Sequence, residues 1–212
     1  MKNNLIITIG RQFGSGGREI GKILSEMLNL KYYDKELILE ASKASGLCAE
    51  HFERADEKAP NRFFNALSKG WLSGASGMPT SGGWSDEMVF KFQADVIREI
   101  AERESAVIVG RCADYILRDH PGCVSAFIHA DMDDCVQRIV SRNCGIDERE
   151  ARELAHKRNK LRTAYYNFYT DKVWGDGASY DICINSSIVG TQGAAELIAQ
   201  FAHKKMEMNT PK

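Results

Sequence analysis

No stretch of this chain is apolar for long enough to cross a membrane, and its first residues lack the basic, apolar and small-residue order of a signal peptide. It has no excess of basic charge either. The formal net charge is −1 at pH 7, which argues against a dedicated nucleic-acid binder. The six cysteines (Cys48, Cys112, Cys123, Cys135, Cys144 and Cys183) are scattered without CxxC spacing, so neither a zinc site nor a disulfide framework is expected. They read mostly as small buried or partly buried thiols in a reducing cytoplasm. No internal repeat is visible, and nothing in the sequence indicates an oligomeric state. What is present, 212 residues with 43% hydrophobic and 27% charged side chains, suits a globular chain with one substantial core. That length leaves room for a small lid but not for two ordinary domains.

Short apolar runs alternate with helical patterns. Leu5, Ile6, Ile7 and Ile9 open the series, followed by 31–34 (KYYD), 106–110 (AVIVG), 124–129 (VSAFIH) and 180–185 (YDICIN). The run at 106–110 is almost continuously apolar, as a strand covered on both faces requires. Between the runs, apolar residues recur at helical spacing: Ile20, Ile23, Leu24, Met27 and Leu28, then Met88, Val89, Phe92, Val96, Ile97 and Ile100, then Val136, Ile139 and Val140, and finally Leu197, Ile198 and Phe201. This alternation predicts a parallel sheet with helices on both faces. Two regions break the rhythm. Residues 36–67 carry helical patterns and lead into a Gly/Ser-rich loop at 70–83 (GWLSGASGMPTSGG), long enough to imply a function or disorder. Residues 143–174 begin with Asp147 and Glu150 at capping-box spacing, then run into a basic helix.

The most informative segment is 5–22, LIITIGRQFGSGGREIGK. A strand, a glycine turn (Gly14, Ser15, Gly16, Gly17) and a helix aim backbone N–H groups and a helix N-terminus at an anion. The usual phosphate loop, GxxxxGK[ST], is nevertheless absent. With Gly16 as its second glycine, Arg11 stands for the first, Gly17 for the lysine and Arg18 for the Ser/Thr that holds magnesium. Either Arg11 or Arg18 can supply the missing charge, since guanidinium groups suit phosphate oxygens. An ordinary glycine-rich strand–helix turn is the competing reading.

Other candidates surround this turn. Arg158 and Arg162 are four residues apart and share one helix face, which suits an anion held between them, although a solvated basic face is the default for such a run. Tyr165, Tyr166, Phe168 and Tyr169 follow as a hinge, a base-stacking surface or core packing. Arg111 and Asp114 lie just beyond the carboxyl end of the third strand, the edge where open α/β sheets bind ligands. Asp34 ends the second strand at the same edge. It is placed to hold magnesium-bound water or a substrate group, to cap a helix at 35–41, or both.

Four blocks, ITIGRQFGSGGREIG, YYDKELI, VIVGRCADYIL and NKLRTAYYNFYTDKVWGD…YDICIN, together resemble the cytidylate kinase-like family, a divergent branch of the nucleoside monophosphate kinases. The resemblance runs from Ile6 to about Ile198. It implies a P-loop, three-layer α/β sandwich with a five-stranded parallel sheet. The whole chain 1–212 would form one such domain, with an acceptor-binding type of insertion at 36–86 and a helical lid at 143–174. It implies ATP- and magnesium-dependent phosphoryl transfer to a small phosphorylated acceptor, a (deoxy)cytidine or related monophosphate, by a cytoplasmic enzyme that binds neither nucleic acid nor membrane. By position, Arg11, Gly14, Ser15, Gly16, Gly17, Arg18 and Glu19 would meet ATP. Asp34, Arg111 and Asp114 would meet the acceptor, and Arg18, Arg158 and Arg162 would serve the transfer. No metal ligand is assigned outright; Glu19 or Asp34 would act through water. The alternatives are a kinase of the same fold with a different acceptor, and a non-catalytic nucleotide- or phosphate-binding protein marked by the missing lysine.

Overall fold

The apolar run after Asn4 becomes β1 (Ile6–Arg11), the central strand of a five-stranded, all-parallel sheet in the order β2-β3-β1-β4-β5. A central strand is covered on both faces, so Ile6, Ile7 and Ile9 are fully buried. Thr8 is tolerated there because its hydroxyl donates to the Val124 carbonyl at 3.3 Å. The computed structural model describes residues 4–34, 86–142 and 145–209. The expected helical layer at 36–67, the loop at 70–83, the possible helix at 35–41, Cys48 and Cys144 lie outside them. The chain divides into two compact units, one of residues 1–36 with 97–212 and the other of residues 37–96.

The remaining elements among the described residues are α1 (Gly17–Met27), β2 (Lys31–Tyr33), α2 (Asp86–Arg103), β3 (Ala106–Val109), α3 (Ala113–Ile116), β4 (Cys123–His129), α4 (Met132–Arg142), α5 (Glu148–Tyr169), β5 (Ile182–Asn185) and α6 (Ser186–Asn209). A short 3₁₀ turn, Gly177–Ser179, precedes β5. α6 is interrupted at Gly190, whose φ of 68° breaks the helical path. Two boundaries differ from expectation. β2 ends at Tyr33, leaving Asp34 just past the strand, and the last strand begins at Ile182 rather than Tyr180. The second shift has a physical cause. Asp181 leaves the strand pattern to accept from the Ser125 amide at 2.8 Å and from Lys205 Nζ at 2.9 Å.

α1 buries Ile20 and Leu24 on the sheet. Gly21 allows its close approach, since a Cβ there would stand 2.9 Å from Val109 Cγ2. Ala194, Ala195, Ile198, Ala199 and Ala202 of α6 belong to the same core. α5 packs separately on α4 through Val136, Ile139, Ala151 and Ala155, with Phe13 of the glycine turn seated against them. Cys112, Cys123 and Cys135 are buried, whereas Cys183 is exposed, an exception to the expected burial of the thiols. Among the described residues no helix is long and apolar enough to cross a membrane.

This strand order places a switch in winding direction at β1, flanked by β3 on one side and β4 on the other. Ligand crevices of open α/β sheets form at such a switch, beyond the carboxyl ends of the strands. The glycine turn at 12–17 occupies that position.

Candidate active site

The turn is held from below. The Gln12 amide donates to the Ile128 carbonyl at 2.9 Å, and the Ser15 hydroxyl faces inward to the Gln12 and Ile128 carbonyls at 3.0 and 3.1 Å. Ser15 is completely buried, and its carbonyl accepts from the Ser186 hydroxyl at 2.8 Å, so it braces the turn. Gly14 and Gly16 have φ of 87° and 81°, a region costly for residues with a Cβ. A Cβ on Gly14 would also stand 2.7 Å from the Cys135 carbonyl oxygen. Gly16 precedes α1 and makes no side-chain cap, which leaves the first-turn N–H groups of Gly17, Arg18 and Glu19 without a capping side chain.

α5 reaches this turn from its own side. Asn159 Oδ1 accepts from the Phe13 amide at 2.7 Å, and Arg162 Nη1 donates to the Arg11 carbonyl at 2.8 Å. The Arg162 guanidinium lies over the Phe13 ring, 5.4 Å from its centroid. Asp147 and Glu150 form the expected capping box at the start of α5. Asn159 was not singled out in the sequence. Its signal was its place three residues before Arg162, on the same helix face. Arg138, whose Nη1 donates to the Gly14 carbonyl at 3.3 Å, gave no signal.

The structure brings the arginines together. Arg11 is pushed down to about 10 by burial and by the charges of Arg111 and Arg18, partly offset by Tyr32 and Asp34. Arg162 is pushed down to about 8 by burial and by Arg11, Arg158 and Arg18. Burial is the larger cause in both and the neighbouring cations add to it, so a bound anion would favour the charged forms.

Among the described residues, Asp34 is an acid that acts on this group. It is buried, lies 3.4 Å from Arg18 Nε and accepts from the Tyr32 hydroxyl at 3.4 Å. Burial and Asp34 together push the Tyr32 phenol up to about 12. Three consecutive left-handed residues, Gly110, Arg111 and Cys112 with φ of 86°, 60° and 54°, turn the chain sharply at the end of β3. Such conformations cost about 1 kcal/mol or more for residues with a Cβ and cluster where function holds them.

Two candidates stand apart from the arginines. Glu19 is tied to Arg142 at 2.7 Å and to Thr191 Oγ1 at 2.9 Å, so its carboxylate joins α1 to α4 and α6. Asp114 is buried and accepts from the Tyr166 hydroxyl at 2.6 Å, which fastens α3 to α5. Burial raises the Asp114 carboxyl, against the opposing pull of Tyr166 and Lys172. Of the four aromatics of α5, Tyr166 is core, Phe168 is exposed, and Tyr165 and Tyr169 pack on each other at 4.7 Å.

As to the groups a phosphate site implies, the open amides and the crowded guanidiniums fit a polyphosphate. For magnesium, the described residues offer the Asp34 carboxylate. Ser15 faces inward, and Arg18 stands where the usual hydroxyl would be.

Comparison with known proteins agrees with this architecture. Residues 6–188 match the model of the cytidylate kinase-like family. A cytidylate kinase of Methanococcus aeolicus is 24% identical over 197 residues, covering 92% of this chain and 95% of that protein. An uncharacterised protein of Eubacterium ventriosum has a similar structure, with a TM-score of 0.70 and 34% identity over 94% of this chain and 99% of that one. A shikimate kinase of Acinetobacter baumannii shares the fold, with a TM-score of 0.53 at 12% identity over 95% of this chain and 94% of that one. A P-loop kinase sheet, an uncapped glycine turn at its switch point and the family match along most of the chain lead to one statement: this protein belongs to the cytidylate kinase-like family of phosphotransferases.

Proposed function

We propose that the protein transfers the γ-phosphoryl group of ATP, with magnesium, to a small phosphorylated acceptor, with CMP or dCMP as the first candidates. The observation that carries this reading is the convergence of Arg11, Arg18, Arg158 and Arg162 at a glycine turn whose helix start has no side-chain cap. Phosphoryl transfer asks for little else: positive charge around the transferring group, alignment of donor and acceptor, and exclusion of water. The acceptor class is supported by the family match and by the name of the Methanococcus relative.

In this mechanism the amides of Gly14, Gly16, Gly17 and Arg18 hold the donor phosphates. Arg111, at the sharp turn after β3, orients the acceptor phosphate. Arg158 and Arg162 approach from α5 and balance charge on the transferring group, while α5 seals the turn against water. Magnesium, when bound, screens phosphate charge, and Asp34 is the residue that would hold one of its water ligands. A general base is unnecessary when the acceptor is already a phosphate oxygen.

The test is ADP formation from ATP and magnesium with a panel of nucleoside monophosphates. Turnover with CMP or dCMP is the expected result. Turnover only with another acceptor would correct the substrate class, and ATP binding without turnover on any acceptor would refute the transfer.

A further inference from the structure

The loop departs from the usual phosphate loop at two positions that the structure ties together. Where the lysine for the β- and γ-phosphates would be rooted stands Gly17, and where the first glycine would be stands Arg11. A Cβ built on Gly17 would lie 2.6 Å from Arg11 Cβ and 2.8 Å from its Cγ. The stem of Arg11 therefore fills the volume through which a side chain at position 17 would leave the helix. At the far end, a Cβ on Gly110 would collide with Arg11 Nη1 and lie 3.0 Å from its Cζ. One arginine occupies room left by two glycines, one on each side of the crevice.

We propose that Arg11 does the work of the missing lysine, its guanidinium holding the β- and γ-phosphates of ATP from the end of β1 instead of the start of α1. The assignment rests on the ATP reading above and narrows it to one side chain. Arg18 is the rival, but it lies 3.4 Å from the Asp34 carboxylate with about half of its side chain in solvent (53% exposed). Arg158 and Arg162 are rooted in α5 rather than beside the turn. Arg11 alone combines a root on the central strand with a stem confined by glycines. Its fork of N–H donors can bridge two phosphate oxygens where an ammonium presents a point charge.

The experiment exchanges the charge between its two possible roots. Binding of a non-hydrolysable ATP analogue with magnesium is titrated calorimetrically, and ADP formation is measured in parallel. Arg11→Gly is expected to weaken analogue binding about tenfold or more and to lower turnover about 100-fold, the scale of losing one charge-stabilising group. Gly17→Lys alone is expected to do no better than Arg11→Gly, because the new side chain enters the volume of the Arg11 stem. The double variant Arg11→Gly/Gly17→Lys restores an amine on the customary root and is expected to regain about tenfold in binding over Arg11→Gly. Methylguanidine added to Arg11→Gly is expected to restore turnover in proportion to its concentration, independently of how the double variant folds. Recovery by either route supports the assignment. Unchanged binding and turnover in Arg11→Gly, or no recovery by either route, overturns it while leaving the ATP reading in place. Failure of the wild-type protein to bind the analogue overturns both.

Discussion

At the scale of single residues, like charges and buried partners make separate demands, and each can be tested by a single substitution. Arg158 is one of the cations that act on Arg162, yet no hydrogen bond ties it to the glycine turn as one ties Arg162 to the Arg11 carbonyl. A group that meets charge only as it develops changes the rate rather than the binding of the donor. Arg158→Ala is therefore expected to lower turnover about 100-fold while ATP affinity stays within about threefold. Equal losses of both, read from steady-state kinetics and equilibrium titration, would remove Arg158 from the transfer step. Asp114 shows the opposite kind of role. Its carboxylate is buried against the Tyr166 hydroxyl, and the phenol is itself pushed well above its ordinary value by burial and by Asp114. Tyr166→Phe would leave a buried acceptor without its donor, at a cost of about 1–3 kcal/mol in urea unfolding. Paired with Asp114→Ala, the two losses should add to much less than their sum, because each breaks the same bond. Strict additivity would show that the contact does not fasten α3 to α5.

At the scale of elements, α5 is the piece whose position matters most, since it carries Asn159, Arg158 and Arg162 to a turn built by β1 and α1. Its start is fixed locally: the Glu150 amide donates to Asp147 Oδ1 at 2.8 Å, and the Asp147 amide to Glu150 Oε2 at 3.1 Å. Asp147→Ala is expected to cost about 1 kcal/mol, which in a chain of this size lowers Tm by about 2–4 °C. An unchanged melting curve would show that packing on α4, not the cap, sets the helix start. This cap was legible because Asp and Glu three residues apart before a helical run act through neighbouring backbone alone. The strands at 106–109 and 123–129 were legible for a similar reason, since burial on both faces leaves a continuous apolar run. Tyr180 and Asp181 misled because their apolar and polar spacing matches a strand, while the Ser125 amide and Lys205, both distant in sequence, claim the Asp181 carboxylate. In the site, the glycine turn and the arginines of α5 could be read from local spacing. The inward Ser15 hydroxyl, the Glu19 link to Arg142, and the shared room of Arg11, Gly17 and Gly110 could not. Each depends on which distant element closes over the turn.

At the scale of the whole molecule, the near-zero net charge conceals an uneven distribution. The chain carries −1 overall, yet Arg11, Arg18, Arg111, Arg158 and Arg162 act on one another around the crevice. Arginine keeps its proton throughout the pH range in which a protein stays folded, so the downward push on Arg11 and Arg162 marks a cost of holding charge in the fold rather than a change of protonation. Burial is the larger part of that cost and the neighbouring cations the rest, and a bound polyphosphate would offset it. Affinity for ATP without magnesium should therefore stay within about threefold from pH 7.5 to 9.5, where the arginines do not titrate, and should fall as salt screens the attraction. The thermal shift given by ATP should shrink over the same salt series. A thermal shift indifferent to salt would mean that the crevice does not draw the nucleotide through these charges.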